Sequence, residues 1–204
     1  MSDELEIPET MPRVIAFLSA VLDQVAQSND LNRRQDSQKL SVFHSLTKPT
    51  ISVQSYLERI FKYADCSPSC FVVAYVYLDR FTQRQKALPI NSYNVHRLLI
   101  TSVMVSAKFM DDISYNNAYF ARVGGISTKE MNLLEMDFLF GLGFELNVTP
   151  ENFFAYCSYL QRKMLLQSPP LHVAESTLNL ASRLKLHCSF NEDESTHQKH
   201  LAAV

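Results

Sequence analysis

Few residues of this chain are of types and spacings that could do chemistry. His197 and His200 stand H-x-x-H, a separation that could offer two imidazoles to a metal. They lie in a polar tail, where solvated side chains are the plainer reading. Asp111-Asp112 puts two carboxylates side by side, as acid–base catalysis could use, yet no third group in the sequence supports them. His96 adjoins Arg97 at the wet start of a helical pattern, a poor place for a metal ligand. Cys66 and Cys70 have the wrong spacing for C-x-x-C, and with Cys157 and Cys188 they read as small buried thiols in a reducing compartment. No nucleophile elbow G-x-S-x-G occurs, and Gly124-Gly125 alone cannot build a phosphate-cradling loop. The sequence therefore offers no positive sign of an enzyme, a metal or a cofactor.

Two other residues stand out because they are misplaced. Lys108 closes the run Val95 to Met110, and Glu135 sits inside Met131 to Phe140. Both segments are apolar nearly all round at helical spacing, which predicts that both are buried. A lysine and a glutamate in such company are costly unless each has a partner. Taken together they read as a charged pair at the rim of a hydrophobic surface. Apolar anchors with a few charges that fix register are what a partner-binding face requires.

The bulk properties agree. A net charge of −2 provides no basic field to recruit nucleic acid or an acidic membrane. Arg33-Arg34 and Arg80 to Lys86 are the only basic stretches, and they read as solvated charge. The longest apolar run, Cys70 to Leu78, is far short of the ~20 residues a bilayer demands. The opening Met-Ser-Asp-Glu-Leu-Glu is acidic where a secretory signal needs a basic start. An intracellular protein is expected, with nucleus or cytoplasm left open.

The elements that must position Lys108 and Glu135 are helices. Thr10 can cap and Pro12 sits in the first turn of a helix whose stripe is Val14, Phe17, Leu18, Val21, Leu22 and Val25. Asn29 to Lys39 reads as a loop, and Ser41-Val42-Phe43-His44 as a packed but irregular patch. A second helix from Ser52 carries Val53, Tyr56, Leu57, Ile60, Phe61 and Ala64. Ser67 as cap and Pro68 open a third, whose Cys70 to Leu78 core has no polar face and belongs at the centre of a bundle. Asn91-Ser92 opens the helix ending at Lys108, where Ser102, Ser106 and Ala107 permit close approach. Ser127-Thr128-Lys129-Glu130 matches the capping box and starts the helix of Glu135, which Gly141 and Gly143 end. Thr149-Pro150 opens another, with Phe153, Cys157, Leu160 and Met164 on one face, stopped by Pro169-Pro170. The expectation is an all-α bundle of five helices from about Ser52 to Gly143, one helix before and at least one after.

Ordered along the chain, Asp79-Arg80-Phe81, Ser106-Ala107-Lys108-Phe109, and Leu134-Glu135 with Leu139, Phe144 and Leu146 resemble the cyclin box. The resemblance covers roughly Thr50 to Phe154. Within that family, Tyr115-Asn116-Asn117-Ala118-Tyr119-Phe120-Ala121-Arg122-Val123-Gly124-Gly125-Ile126-Ser127 is similar to the signature of plant U-type (P-type) cyclins, relatives of the yeast phosphate-regulatory cyclin. The likeness extends to the N-terminal helix and to Ser41 to His44, and thins after Met164.

What the resemblance implies is a single five-helix box at 50–154. It would be preceded by an N-terminal helix and linker at 1–49 and followed by a helical extension at 155–190 and a flexible tail at 191–204. It implies a regulatory subunit that forms a heterodimer with a cyclin-dependent kinase and activates it, with no nucleic-acid, membrane or small-molecule partner and no cofactor. Lys108, Glu135, Phe109, Leu139, Phe144 and Leu146 would contact the kinase, Asp111 and Asp112 could meet its activation loop, and Arg80 could serve substrate docking. The M-R-A-I-L docking motif of mitotic cyclins is absent from Ser55-Tyr56-Leu57-Glu58-Arg59-Ile60. The stretch after Phe154 is too short for a second five-helix repeat. The rivals are a cyclin-fold adaptor of the transcription machinery that activates no kinase, and an unrecognised enzyme.

Overall fold

The computed structural model describes residues 10–31 and 40–167. Seven helices follow one another: α1 Thr10–Leu31, α2 Val53–Tyr63, α3 Ser69–Arg84, α4 Val95–Met110, α5 Asn117–Gly124, α6 Thr128–Leu142 and α7 Pro150–Gln167. Among the described residues there is no strand, so the architecture is all-α with five helices between 53 and 142, as the periodicity requires. The expected tail at 191–204, and the extension beyond Gln167 with Pro169, Pro170, Cys188, His197 and His200, lie outside the described residues.

α3 is the hub. Cys70 to Ala74, Val76 to Leu78 and Phe81 are all buried, because no side of this helix is polar enough to face water. Its closest companion is α4, with α6 and α7 covering its other sides and α1 laid across α2. The small residues of α4 allow that approach. Ser106 Oγ donates to the Cys70 and Val103 carbonyls at 2.9 and 2.8 Å, and Ser102 Oγ to Leu99 at 2.9 Å. Their hydroxyls are thus satisfied inside an apolar contact, where an unbonded one would cost about 1–3 kcal/mol.

Local signals behave as capping chemistry dictates, with two exceptions. The Ser52 side chain accepts from Ser55 N–H, and that of Ser127 from Glu130 N–H. The Glu130 carboxylate, however, pairs with Arg97 of α4, so one half of the box is spent on tying α6 to α4. Ser67 does not cap α3 through its hydroxyl, which lies 3.2 Å from the Cys70 thiol; its backbone N–H is instead held by Asp111 Oδ2 at 3.0 Å. On α1 the buried apolar residues are Val14, Ile15, Phe17, Leu18, Leu22 and Ala26, with Val25 left exposed.

The Ser41 to His44 patch is irregular but structural. Phe43 is buried and meets Phe81 and Phe138 edge-on at 5.4 and 6.3 Å, while Phe81 and Phe138 stack at 4.9 Å. The three rings weld the linker to α3 and α6. Gly141 makes room for them, since a Cβ there would lie 2.2 Å from the Phe81 ring.

Gly141→Ala is therefore expected to lower stability by about 1–3 kcal/mol despite alanine's better helix propensity, read from the urea midpoint. A second expectation concerns pH. His96 Nε2 donates to the Ile51 carbonyl at 2.9 Å, and burial lowers its pKa below the ordinary 6.5. A lowered folded-state value means the unfolded chain takes up the proton first as pH falls. The His96 contribution is thus present in full above about pH 6.5 and is lost progressively below it. His96→Gln should flatten the decline in unfolding midpoint between about pH 7 and pH 5.5; an unchanged slope would refute the assignment.

Candidate functional site

Lys108 closes α4 and Glu135 is midway along α6, and the short α5 stands between them. Asn116 caps α5 by accepting the Tyr119 N–H at 3.1 Å, which fixes Asn117 as the first helical residue. From there Asn117 completes a closed polar triangle. Lys108 Nζ reaches Glu135 Oε1 at 2.6 Å and also donates to Asn117 Oδ1. Asn117 Nδ2 donates to Glu135 Oε2 and to Asn132 Oδ1, each at 2.7 Å. The side chains of Lys108 and Glu135 are 31% and 22% exposed, so the pair is neither drowned in solvent nor sealed in the core. An isolated surface pair of this kind is worth about 0–1 kcal/mol. What the triangle contributes is orientation: the end of α4, the start of α5 and the middle of α6 hold one cation and one anion in fixed positions at the surface.

Exposed apolar residues neighbour its members along the chain and continue down α6. Phe109 (48% exposed), Ile113, Leu133, Met136, Phe140 (67%) and Phe144 (57%) all face outward. α6 consequently differs from its sequence expectation. Only Met131, Leu134, Phe138, Gly141 and Leu142 are buried, and the opposite side stays apolar and wet. Leu139 and Leu146 are half-buried and pack against the core, supporting the face from beneath. Phe144 has φ +59°, a left-handed conformation uncommon for a bulky residue. It follows Gly143 at φ +61°, its N–H bonding the Leu139 carbonyl at 3.0 Å, and its ring meets Phe140 edge-on at 5.2 Å. The helix terminus thus aims an aromatic ring at solvent beside a second one.

The other expected positions lie at different places. Asp111 couples two helices: its N–H closes α4 on the Ala107 carbonyl, and its carboxylate holds the start of α3. Asp112, next to it, is exposed. Arg80 Nη1 donates to the Glu145 and Asn147 carbonyls, both at 2.9 Å, and so straps the chain that leaves α6. Cys70 is buried, and the Cys66 thiol and burial together push its pKa up, which keeps it protonated. No helix among the described residues is long and apolar enough to cross a membrane.

Asn117, Asn132, Met136 and Phe140 were not among the residues picked out from the sequence. A signal existed for three of them. Asn132, Met136 and Phe140 follow i+4 steps on the side of α6 opposite the buried Met131, Leu134 and Phe138. Asn117 carries no such signal, because its partners lie 9 and 18 residues away.

The comparison with known proteins decides the family. The cyclin family model matches residues 6–146. The chain is a member of the cyclin family. It is 68% identical over 199 residues to Cyclin-U4-1 of Arabidopsis thaliana, covering 96% of this chain and 95% of that one. It is 54% identical over 212 residues to Cyclin-U4-3 of the same plant, with 100% and 96% covered. Cyclin-P4-1 of Oryza sativa subsp. japonica is 58% identical over 171 residues, 81% of each chain. The resemblance to the plant U-type and P-type cyclins therefore stands, and with it a regulatory role of the cyclin kind. The cyclin match takes in α1 as well as the five central helices.

If the triangle acts as one unit, Lys108→Met and Asn117→Ala should not add. A double-mutant cycle on unfolding free energy is expected to return a coupling of about 0.5–1 kcal/mol; strict additivity would show that Asn117 is a bystander.

Proposed function

We propose that this cyclin binds and activates a cyclin-dependent protein kinase in trans, in the control of cell division or of nutrient, phosphate-type, signalling. The observation that carries the reading is the Lys108–Asn117–Glu135 triangle set among outward-facing Phe109, Met136, Phe140 and Phe144. Apolar anchors supply most of the affinity of such a face, while oriented charges select the partner and its register. Leu139 and Leu146 contribute by holding these anchors in place.

The kinase αC helix would pack on this face and carry its glutamate to the catalytic lysine that holds ATP productively. The cyclin would do no chemistry itself. Its effect would come from binding the active conformation better than the inactive one, by about 5.5 kcal/mol for a complete switch. Asp112, exposed at the end of α4, is the acid available to pair with activation-loop arginines in place of a phosphate, whereas Asp111 is engaged with α3. Any docking role for Arg80 would fall to the donors left after its two carbonyl bonds. Residues 50–154 would form the binding module, with 1–49 and 155–190 as flanks.

Co-expression with a panel of cyclin-dependent kinases tests the reading. Lys108→Glu, which sets like charges against Glu135, is expected to reduce kinase co-purification and activation at least about tenfold, with the helical circular-dichroism signal retained. Equal recovery and activation would overturn the contact face. Recovery of a kinase without activation would favour the adaptor. In the same assay, Asp112→Asn should reduce the activity of kinase whose loop is unphosphorylated; unchanged activity would remove Asp112 from that role.

A further inference from the structure

The signature stretch Tyr115 to Ser127 contributes Asn117 to the triangle, which leaves its second half without a task. Arg122 lies five residues beyond Asn117 on α5, about 140° around the helix, and so on a different flank. There, α5 and α2 enclose an open dimple of about 430 Å³ lined by Arg59, Tyr63, Tyr119, Arg122 and Val123.

The charges in this dimple are unbalanced. Arg84, Arg97 and Lys108 each pair with a glutamate, but among the described residues Arg59, Lys62 and Arg122 form no ion pair. Arg59 Nη2 donates to the Arg122 carbonyl at 3.1 Å, which leaves its other donors uncommitted. The Arg122 guanidinium lies 5.9 Å from the Tyr119 ring centroid, and Lys62 Nζ 5.3 Å from that of Tyr63. The acids nearest in sequence, Glu58 and Asp65, accept from the neutral donors Gln54 and Tyr115, each at 2.9 Å, and form no ion pair with these cations, so three positive charges stand against two negative ones. Three cations thus gather on one flank of a protein whose net charge is −2.

The walls are held firmly. Tyr119 donates to the Tyr63 carbonyl at 2.7 Å and stacks on Tyr115 at 4.0 Å, while Tyr56, buried, donates to the Gly124 carbonyl at 3.0 Å. Gly125 turns the chain at φ +72° directly under the Arg59 guanidinium, a backbone state that a side chain would strain. A preformed cleft with aromatic walls and two forked guanidiniums matches carboxylates presented on an extended segment.

We infer that the Arg59–Tyr63–Tyr119–Arg122 dimple docks an acidic peptide segment of a protein partner. Its carboxylates would meet the two guanidiniums, and an apolar side chain would rest on Tyr63 and Val123. This site is separate from the kinase-binding face, so it would recruit a second protein to the same subunit.

The test titrates the full-length protein into a fluorescein-labelled peptide of alternating glutamate and leucine, read by anisotropy. Saturable binding is expected, weakening steeply as salt rises from about 50 to 300 mM. Arg122→Gln alters an exposed side chain with no hydrogen bond in the fold, and should weaken binding about tenfold; Arg59→Glu with Arg122→Glu should abolish it. Lys163→Glu, on α7, should leave it unchanged. Loss of binding in Lys163→Glu to the same degree, or absence of saturable binding, would overturn the proposal. So would equal displacement by oligothymidylate, which would mark a generic anion patch. Because the dimple is read without the kinase, Lys108→Glu should not affect peptide affinity, which keeps this result independent of the kinase assay.

Discussion

A helix with no polar side has to be enclosed, and α3 imposes that requirement on everything around it. Nearly every residue from Cys70 to Phe81 is buried, so α4, α6 and α7 must each present an apolar stripe to it. Ser106 and Gly141 let two of these helices come close, the serine by folding its hydroxyl onto the Cys70 and Val103 carbonyls and the glycine by yielding space to Phe81. Once α4 and α6 are seated on α3, the end of one and the middle of the other lie side by side at the surface. The Lys108–Glu135 pair follows from that arrangement rather than causing it.

The face around the pair shows how a folded chain keeps exposed apolar residues ordered. Phe140 and Phe144 steady each other edge-on, and the left-handed Phe144 is held by a helix terminus whose backbone bonds are satisfied. Asn117 bonds both members of the directly paired Lys108 and Glu135, so each charge is held in one geometry before any association. Preorganisation of this kind lowers the ordering cost of association. The same α5 carries, on another flank, the Arg122 guanidinium, which forms no ion pair among the described residues, and so places two different chemistries on one short helix.

Much of the bundle could be read from residue order. The stripe of α2, that of α7 through Phe153, Cys157 and Leu160 (the Met164 side chain lies outside the described ones), the caps at Ser52 and Ser127 and the buried character of α3 and α4 followed from periodicity and capping alone. α6 was misread as wholly buried because its apolar content was counted without asking which side faced the core. Periodicity locates an apolar residue on a helix face, but an apolar face turned to solvent has the same composition as one turned inward. The Ser67 hydroxyl was likewise assigned to a helix N–H, when the neighbouring Cys70 thiol and the distant Asp111 carboxylate divide that task differently.

By itself the sequence determined the helices, the central position of α3 and the oddity of Lys108 and Glu135, because each depends on neighbours within a few turns. Tertiary structure alone decided that Asn117 bridges the two charges, that Glu130 turns to Arg97, and that Arg59 and Arg122 face each other unpaired. Those outcomes depend on the relative placement of helices, which arises from packing volume and close approach across residues remote in the chain. No local pattern encodes them.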